Sequence, residues 1–214
     1  MEKTVEKKEN YPVWFSICTL AILTVSLCIT QHRQVWAEEV APIIIGFPIL
    51  FFTYRKFQFT NFVYAWLIIH FVILNIGGIY TYAKAPLGYW MQDWFGFSRN
   101  NYDKIGHFAQ GFIPAILIRE VLLRISPLQR GKLLFFIITA ICLAISAFYE
   151  IAEWWVACVQ GADAEDFLGT QGYVWDAQSD MLFALLGAVF ALLALSKIHD
   201  KHIDLKIKIV NYEE

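Results

Sequence analysis

Apolar residues fall into six long runs along this chain, with polar residues between them and at both ends. The runs cover residues 12–30, 37–54, 61–82, 105–123, 133–155 and 177–196. A helix needs about 20 apolar residues to cross the hydrocarbon core of a bilayer, and each run is near that length. The pattern predicts an all-α polytopic membrane protein of about six transmembrane helices, with residues 1–214 as a single integral membrane domain. Pro42 and Pro48 predict a kink in the second helix. The loop after the third run holds Leu87, Trp90, Met91, Trp94 and Phe95, spaced i, i+3, i+4, i+7, i+8. That spacing is one apolar face of a short helix. It fits an interfacial helix at headgroup level or a loop helix packed on the bundle.

The basic residues orient the runs. With the N-terminus inside, 13 of the 17 Lys and Arg fall on inside segments and only Arg33, Lys84, Arg99 and Lys104 fall outside. Both termini are then cytoplasmic. The connection from Val156 to Trp175 has no Lys or Arg and carries Asp163, Glu165 and Asp166, so it faces outward. The first run follows a basic stretch, as a cleaved leader would. Its length, and the poor cleavage site Val35-Trp36-Ala37, favour an uncleaved helix.

Composition agrees with a membrane protein. The chain is 58% hydrophobic and 17% charged, against about 25% charged in ordinary globular chains. A net charge of −2 gives no basic footprint for nucleic acid. Cys18, Cys28, Cys142 and Cys158 lie in or beside apolar runs without a C-x-x-C pair, and read as apolar packing residues. Cys18 and Cys28 are ten residues apart on one helix, about 15 Å by helical rise and beyond disulfide reach.

The candidate chemistry lies where acids enter the runs. Ionisable groups inside a bilayer cost roughly 2.5–3.5 kcal/mol each on insertion scales. His107 opens the fourth run, Glu150 and Glu153 close the fifth at i, i+3, and Asp176 and Asp180 open the sixth at i, i+4. The topology fixed by Lys and Arg brings all five to the outer face. Carboxylates on facing helices with one imidazole suit a divalent metal such as Zn, Mn, Mg or Ca. A single imidazole argues against a closed structural zinc site. Crowded carboxylates also hold protons. The bland alternatives are Asp176 as the N-cap of the last helix, His107 in a structural pair, and Glu153 solvated at the interface. Asp103, Gln110, Thr170 and Gln171 are supporting candidates. His70 is a lone mid-membrane imidazole, read as a helix–helix hydrogen-bonder. Gly77, Gly78, Ala184, Gly187 and Ala188 read as close-packing positions.

Several stretches carry a resemblance: Gly78-Ile-Tyr-Thr-Tyr82, Arg99-Asn-Asn-Tyr-Asp-Lys-Ile-Gly-His-Phe-Ala-Gln-Gly111, Arg119-Glu120, Glu150-Ile-Ala-Glu-Trp154 and Phe167-Leu-Gly-Thr-Gln-Gly-Tyr-Val-Trp-Asp-Ala-Gln-Ser-Asp180. In these the chain resembles the YjdF-type family of uncharacterised bacterial inner-membrane proteins. That resemblance implies a polytopic inner-membrane protein without an established activity. Asp103 to Phe108, the acid on the next helix, and Asp180 to Gly187 are more faintly similar to VanZ-like membrane proteins, which are linked to glycopeptide resistance. The arginine expected between the last elements of that family has no counterpart in the loop from Val156 to Trp175.

The expectation is an inner-membrane protein with an outward acidic and histidine site, binding a divalent metal and acting on an envelope or lipid component. The alternatives are a proton-coupled small transporter and a structural membrane subunit. The residues assign no catalytic group and no organic cofactor, and enzyme activity stays open.

Overall fold

The computed structural model of the protein describes residues 12–161 and 170–213. Every regular element among these residues is a helix, without a strand among them. The helices are α1 (Val13–Ile29), α2 (Arg33–Glu39), α3 (Ala41–Thr53), α4 (Asn61–Tyr80), α5 (Pro86–Phe95), α6 (Tyr102–Ile125), α7 (Lys132–Gln160) and α8 (Asp176–Glu213), with a 3-10 turn at Tyr82–Lys84 between α4 and α5. The outward connection expected to carry Asp163, Glu165 and Asp166 lies largely outside the described residues.

Among the described residues, α4, Lys132–Val159 of α7 and Asp176–Ile207 of α8 are long and apolar enough to cross a membrane. The bent pair α2–α3 raises the number to four if it counts as one span. Helix α1 is apolar but only 17 residues long. Helix α6 has 24 residues, and its Asp103, Lys104, Arg119, Glu120 and Arg124 keep its hydropathy low.

The second apolar run departs from the expected helix over 37–54. It begins at Arg33 and breaks at Val40, with a bend of 47° between α2 and α3. The cause is Pro42. In a continuous helix its ring would strike the Glu38 carbonyl, whereas in the first turn of α3 its missing N–H is no loss. The break leaves Glu39 buried inside the bundle.

The loop helix over Leu87 to Phe95 is α5. Trp90, Trp94 and Phe95 are exposed, so its apolar face is not packed against the core. Cys142 is buried in the core, while Cys28 and Cys158 are exposed, so only part of the packing role expected for the cysteines is filled.

Helices α6 and α8 make the most extensive contact in the fold. Their backbones approach so closely that a Cβ on Gly111 would overlap the Ala184 carbonyl, and one on Gly187 would overlap the Phe108 carbonyl. Ala184, Ala188 and Ala191 are buried along the same seam. Small residues allow this approach where no hydrophobic force pulls helices together in lipid. On the other side, α1, α2 and α4 meet at a buried polar knot. Trp36 Nε1 donates to Ser26 Oγ at 2.9 Å, and Ser26 donates to Asn75 Oδ1 at 2.5 Å.

The last helix does not stop near residue 196. It continues to Glu213, so the polar stretch after the sixth apolar run is helical. His199, Ile203 and Lys206 are buried at i, i+4, i+7, so one face of the extension packs inward. Glu120 of α6, fully buried, is the anchor there. Its Oε1 accepts from Thr60 N at 2.9 Å and Arg124 at 2.7 Å. Its Oε2 accepts from Thr60 Oγ1 at 2.7 Å and lies 3.0 Å from His199 Nε2. Arg119 pairs with Asp200 at 2.6 Å, and Arg130 pairs with Asp200 and Asp204. The hydrogen bond to Asp204 and the neighbouring Asp200 carboxylate hold the Arg130 guanidinium above its ordinary value. Residues from α4, α6 and the α6–α7 turn thus clamp the extension of α8.

Candidate functional site

The other end of the bundle gathers the acids. The first turns of α6 and α8 and the last turns of α7 meet there, beneath the segment that joins α5 to α6. Four hydrogen bonds hold that segment. Asn100 N donates to Gln171 Oε1 at 3.1 Å, and Gln171 Nε2 donates back to the Asn100 carbonyl at 2.7 Å. Asn100 Nδ2 also donates to the Ala85 carbonyl at 2.9 Å. Gln171 takes a positive φ of 50° in this clamp. Thr170 contributes through its backbone, its carbonyl accepting from Arg99 at 2.7 Å.

Two cations sit among three aspartates. Lys104 Nζ lies 2.5 Å from Asp180 Oδ1, 2.8 Å from Asp176 Oδ1 and 3.1 Å from Asp103 Oδ2. Arg99 donates to Asp176 Oδ1 at 2.7 Å and is 3.9 Å from Asp103. The Arg99 guanidinium also lies over the Tyr173 ring, 4.7 Å from its centroid. Asp103, Asp176 and Asp180 are close enough together to hold a metal ion. The Lys104 ammonium already fills the centre of that triad, so their charge is met from within the protein. Asp176 lies in the first turn of α8, as a capping residue would, but its carboxylate is taken by Arg99 and Lys104.

A second triad has no cation at its centre. His107, Glu150 and Asp180 offer ligand atoms within 4.8 Å of one another. His107 Nε2 is 3.7 Å from Asp180 Oδ1, and Nδ1 is 3.8 Å from Glu150 Oε1. Gln110 Oε1 sits 2.9 Å from His107 Nδ1. Where Nδ1 donates to that amide oxygen, Nε2 keeps its lone pair for a ligand. Glu150 Oε1 is buried without a hydrogen-bond partner. Chemically, one imidazole and two carboxylates form a mixed nitrogen and oxygen donor set for a divalent ion.

Glu153, the fifth site residue expected from sequence, is not part of either triad. It lines a cavity of about 160 Å³ that runs inward from His107 and Asp180. Glu39, His70, Tyr82 and Tyr149 line the same cavity. Tyr82 is seated between Gly77 and Gly106, where a side chain would overlap its ring. His70 does not make the helix–helix hydrogen bond expected of it at Nε2, which is buried and unpartnered.

Sequence reasoning missed Arg99 and Lys104 as site residues, because it used them only as charges setting topology. Their signal was the adjacent Asp103-Lys104 pair at the start of an apolar run. Glu39 was missed because the second helix was expected to begin near it rather than to break beside it.

Over residues 11–201 the chain matches a family described as predicted membrane protein, DUF2238. It is 45% identical over 185 residues to the inner membrane protein YjdF of Escherichia coli strain K12, across 86% of this chain and 88% of that protein. No solved structure matches the chain.

Proposed function

The chain belongs to the DUF2238 family of predicted membrane proteins, and from that premise we propose that it is an inner-membrane protein holding a divalent cation with His107, Glu150 and Asp180 on its outward side. It acts there on an envelope or lipid component. The observation that carries the reading is the Glu150 carboxylate, which has a buried oxygen without a hydrogen-bond partner beside a histidine and an aspartate. Burying such an oxygen is costly unless something meets it. A cation bound by all three groups does so, and Gln110 orients the imidazole for it. The Lys104 and Arg99 contacts hold Asp180 and Asp176 in place around the site.

Metal analysis tests this. Protein purified in detergent is expected to retain about one Mn, Zn, Mg or Ca per chain, or to bind one on titration. His107→Ala and Glu150→Gln should each weaken binding by tenfold or more. The double substitution His107→Ala with Asp180→Asn should add little to His107→Ala, because ligands of one ion fail together. Absence of saturable binding by the wild-type protein, or small additive losses, would sink the proposal.

The site faces outward only in one topology. In this reading the chain crosses the membrane about six times as one domain, with α1, α2–α3 and α6 as spans beside α4, α7 and α8, and both termini are cytoplasmic. The support is the Lys and Arg asymmetry between alternate connections. A reporter active only in the cytosol should be active when fused after Glu214 and silent when fused after Asp163. The opposite pattern would overturn the orientation and the outward site with it.

One observation favours a second reading, a proton-coupled carrier. The cavity links His107 and Asp180 to His70, which lies ten residues from the end of α4, about 15 Å by helical rise. Substrate-dependent proton uptake in liposomes, abolished by His70→Ala, distinguishes this reading from the first.

A further inference from the structure

The inner part of the cavity is built unlike the cation triad at its mouth. Four carboxylates line the cavity as a whole, from Glu39, Asp103, Glu153 and Asp180, and no Lys or Arg does; only Glu39 and Glu153 among them belong to neither triad. Asp103 and Asp180 are paired with Lys104 from outside. Glu39 and Glu153 have no ion-pair partner among the described residues. Leu74, Ile145, Pro42 and Pro114 make the rest of the wall apolar. His70, only 8% exposed, is part of this lining, and its Nε2 is buried without a hydrogen-bond partner.

We infer that the inner part of this cavity, around Glu39, Glu153 and His70, is a binding site for a small primary alkylammonium ion, next to the divalent-cation triad whose His107 and Asp180 line the same cavity. The carboxylates of Glu39 and Glu153 meet the positive charge. The aliphatic walls meet the carbon chain. His70 Nε2, with its ring proton on Nδ1, accepts one ammonium N–H. Tyr82 and Tyr149 complete the lining. A bare divalent ion suits the inner cavity less well, since Glu39 and Glu153 join no cluster of ligand atoms near enough to share one among the described residues. An anion would face four carboxylates with no Lys or Arg on the lining to offset them. A zwitterionic lipid headgroup would bring a phosphate with no cation on the lining to receive it. The size also fits. An engineered cavity of about 150 Å³ accommodates benzene, so a volume of about 160 Å³ holds a body of comparable size.

The test uses the full-length protein in a neutral detergent with excess EDTA, so that its outcome does not depend on a bound metal. n-Butylammonium is titrated by calorimetry at pH 7, against butyrate, O-phosphoethanolamine and tetramethylammonium. The expected result is saturable binding of one n-butylammonium per chain. Butyrate and O-phosphoethanolamine should not bind. Tetramethylammonium, lacking an N–H for His70, should bind at least tenfold more weakly. His70→Ala and Glu153→Gln should each weaken n-butylammonium binding by at least tenfold while eluting and melting like the wild type, and the exposed Cys158→Ser should not change it. No saturable binding by the wild type, equal binding of butyrate, or unchanged affinity in both His70→Ala and Glu153→Gln would overturn the inference. The wild-type selectivity among the four probes decides the matter even if a variant fails to fold.

Discussion

Glu120→Ala is expected to lower the melting temperature of the purified protein by about 6–12 °C, the equivalent of roughly 3 kcal/mol in a chain of this size. The substitution removes four contacts at once. Thr60 N, Thr60 Oγ1, Arg124 and His199 all lose the carboxylate they share. Arg124 keeps its 2.6 Å bond to the Gln58 carbonyl but is left a cation without its carboxylate. Breaking a buried ion pair by removing one partner is costly because the other charge stays behind. Glu120→Gln keeps the shape and one acceptor oxygen, so its loss should be smaller. The consequence should be local as well as global. Helix α8 beyond Ser196 is held by this network, so its amides should exchange faster in the variant. A melting temperature within 2 °C of wild type, with unchanged exchange in residues 197–206, would show that the network is not the anchor.

Lys104→Met is expected to destabilise the opposite end by about 3–5 kcal/mol, since it leaves buried carboxylates uncompensated. Asp103, Asp176 and Asp180 lie within 3.1 Å of the ammonium, and Arg99 alone remains, reaching Asp176. Asp180 is then the worst placed, with only His107 nearby at 3.7 Å. Asp180→Asn in the same chain should therefore recover much of the loss, although alone it is destabilising. That sign reversal is the mark of direct coupling. A millimolar divalent cation should also raise the melting temperature of Lys104→Met more than that of wild type, because an ion can take the ammonium's place among the three aspartates. Additive effects of the two substitutions, with no added response to divalent cations, would refute this account of the site.

Much of the helical pattern was legible in the sequence because lipid and backbone impose it locally. Apolar runs of the needed length must be helical to satisfy their own N–H and C=O groups in a bilayer. The run over 61–82 and α4 end within two residues of each other. The amphipathic spacing of Leu87 to Phe95 is α5. Where the reading fell short, the missing information was of two kinds. The kink expected at Pro42 is there as a 47° bend, but its being a full break was not legible, since a proline breaks a helix only if neighbouring segments make the break cheaper than the bend. Here Trp36 of α2 bonds to Ser26 of α1, and Glu39 turns into the bundle. The helical extension over Lys197 to Lys208 looked like a tail because its charges mask its period. His199, Ile203 and Lys206 carried that period, but only the Glu120 carboxylate on another helix makes burying a histidine there favourable.

The site divides in the same way. The sequence alone singled out His107, Glu150, Glu153, Asp176 and Asp180, because charge in an apolar run is conspicuous at any distance; His107, Asp176 and Asp180 lie in the first two turns of their helices, whereas α7 continues to Gln160 and leaves Glu150 ten residues inside it. Tertiary structure alone decided which of these groups face one another and which are already neutralised. The close seam of Gly111 against Ala184 and Gly187 against Phe108 brings α6 onto α8, and so puts Lys104 among the aspartates and His107 beside Asp180. Glu153 lines the cavity with Glu39 and His70 and joins neither triad. Coulomb and hydrogen-bond energies change steeply over a few ångströms, and such distances between helices remote in sequence are set by side-chain packing, not by the order of residues along one chain.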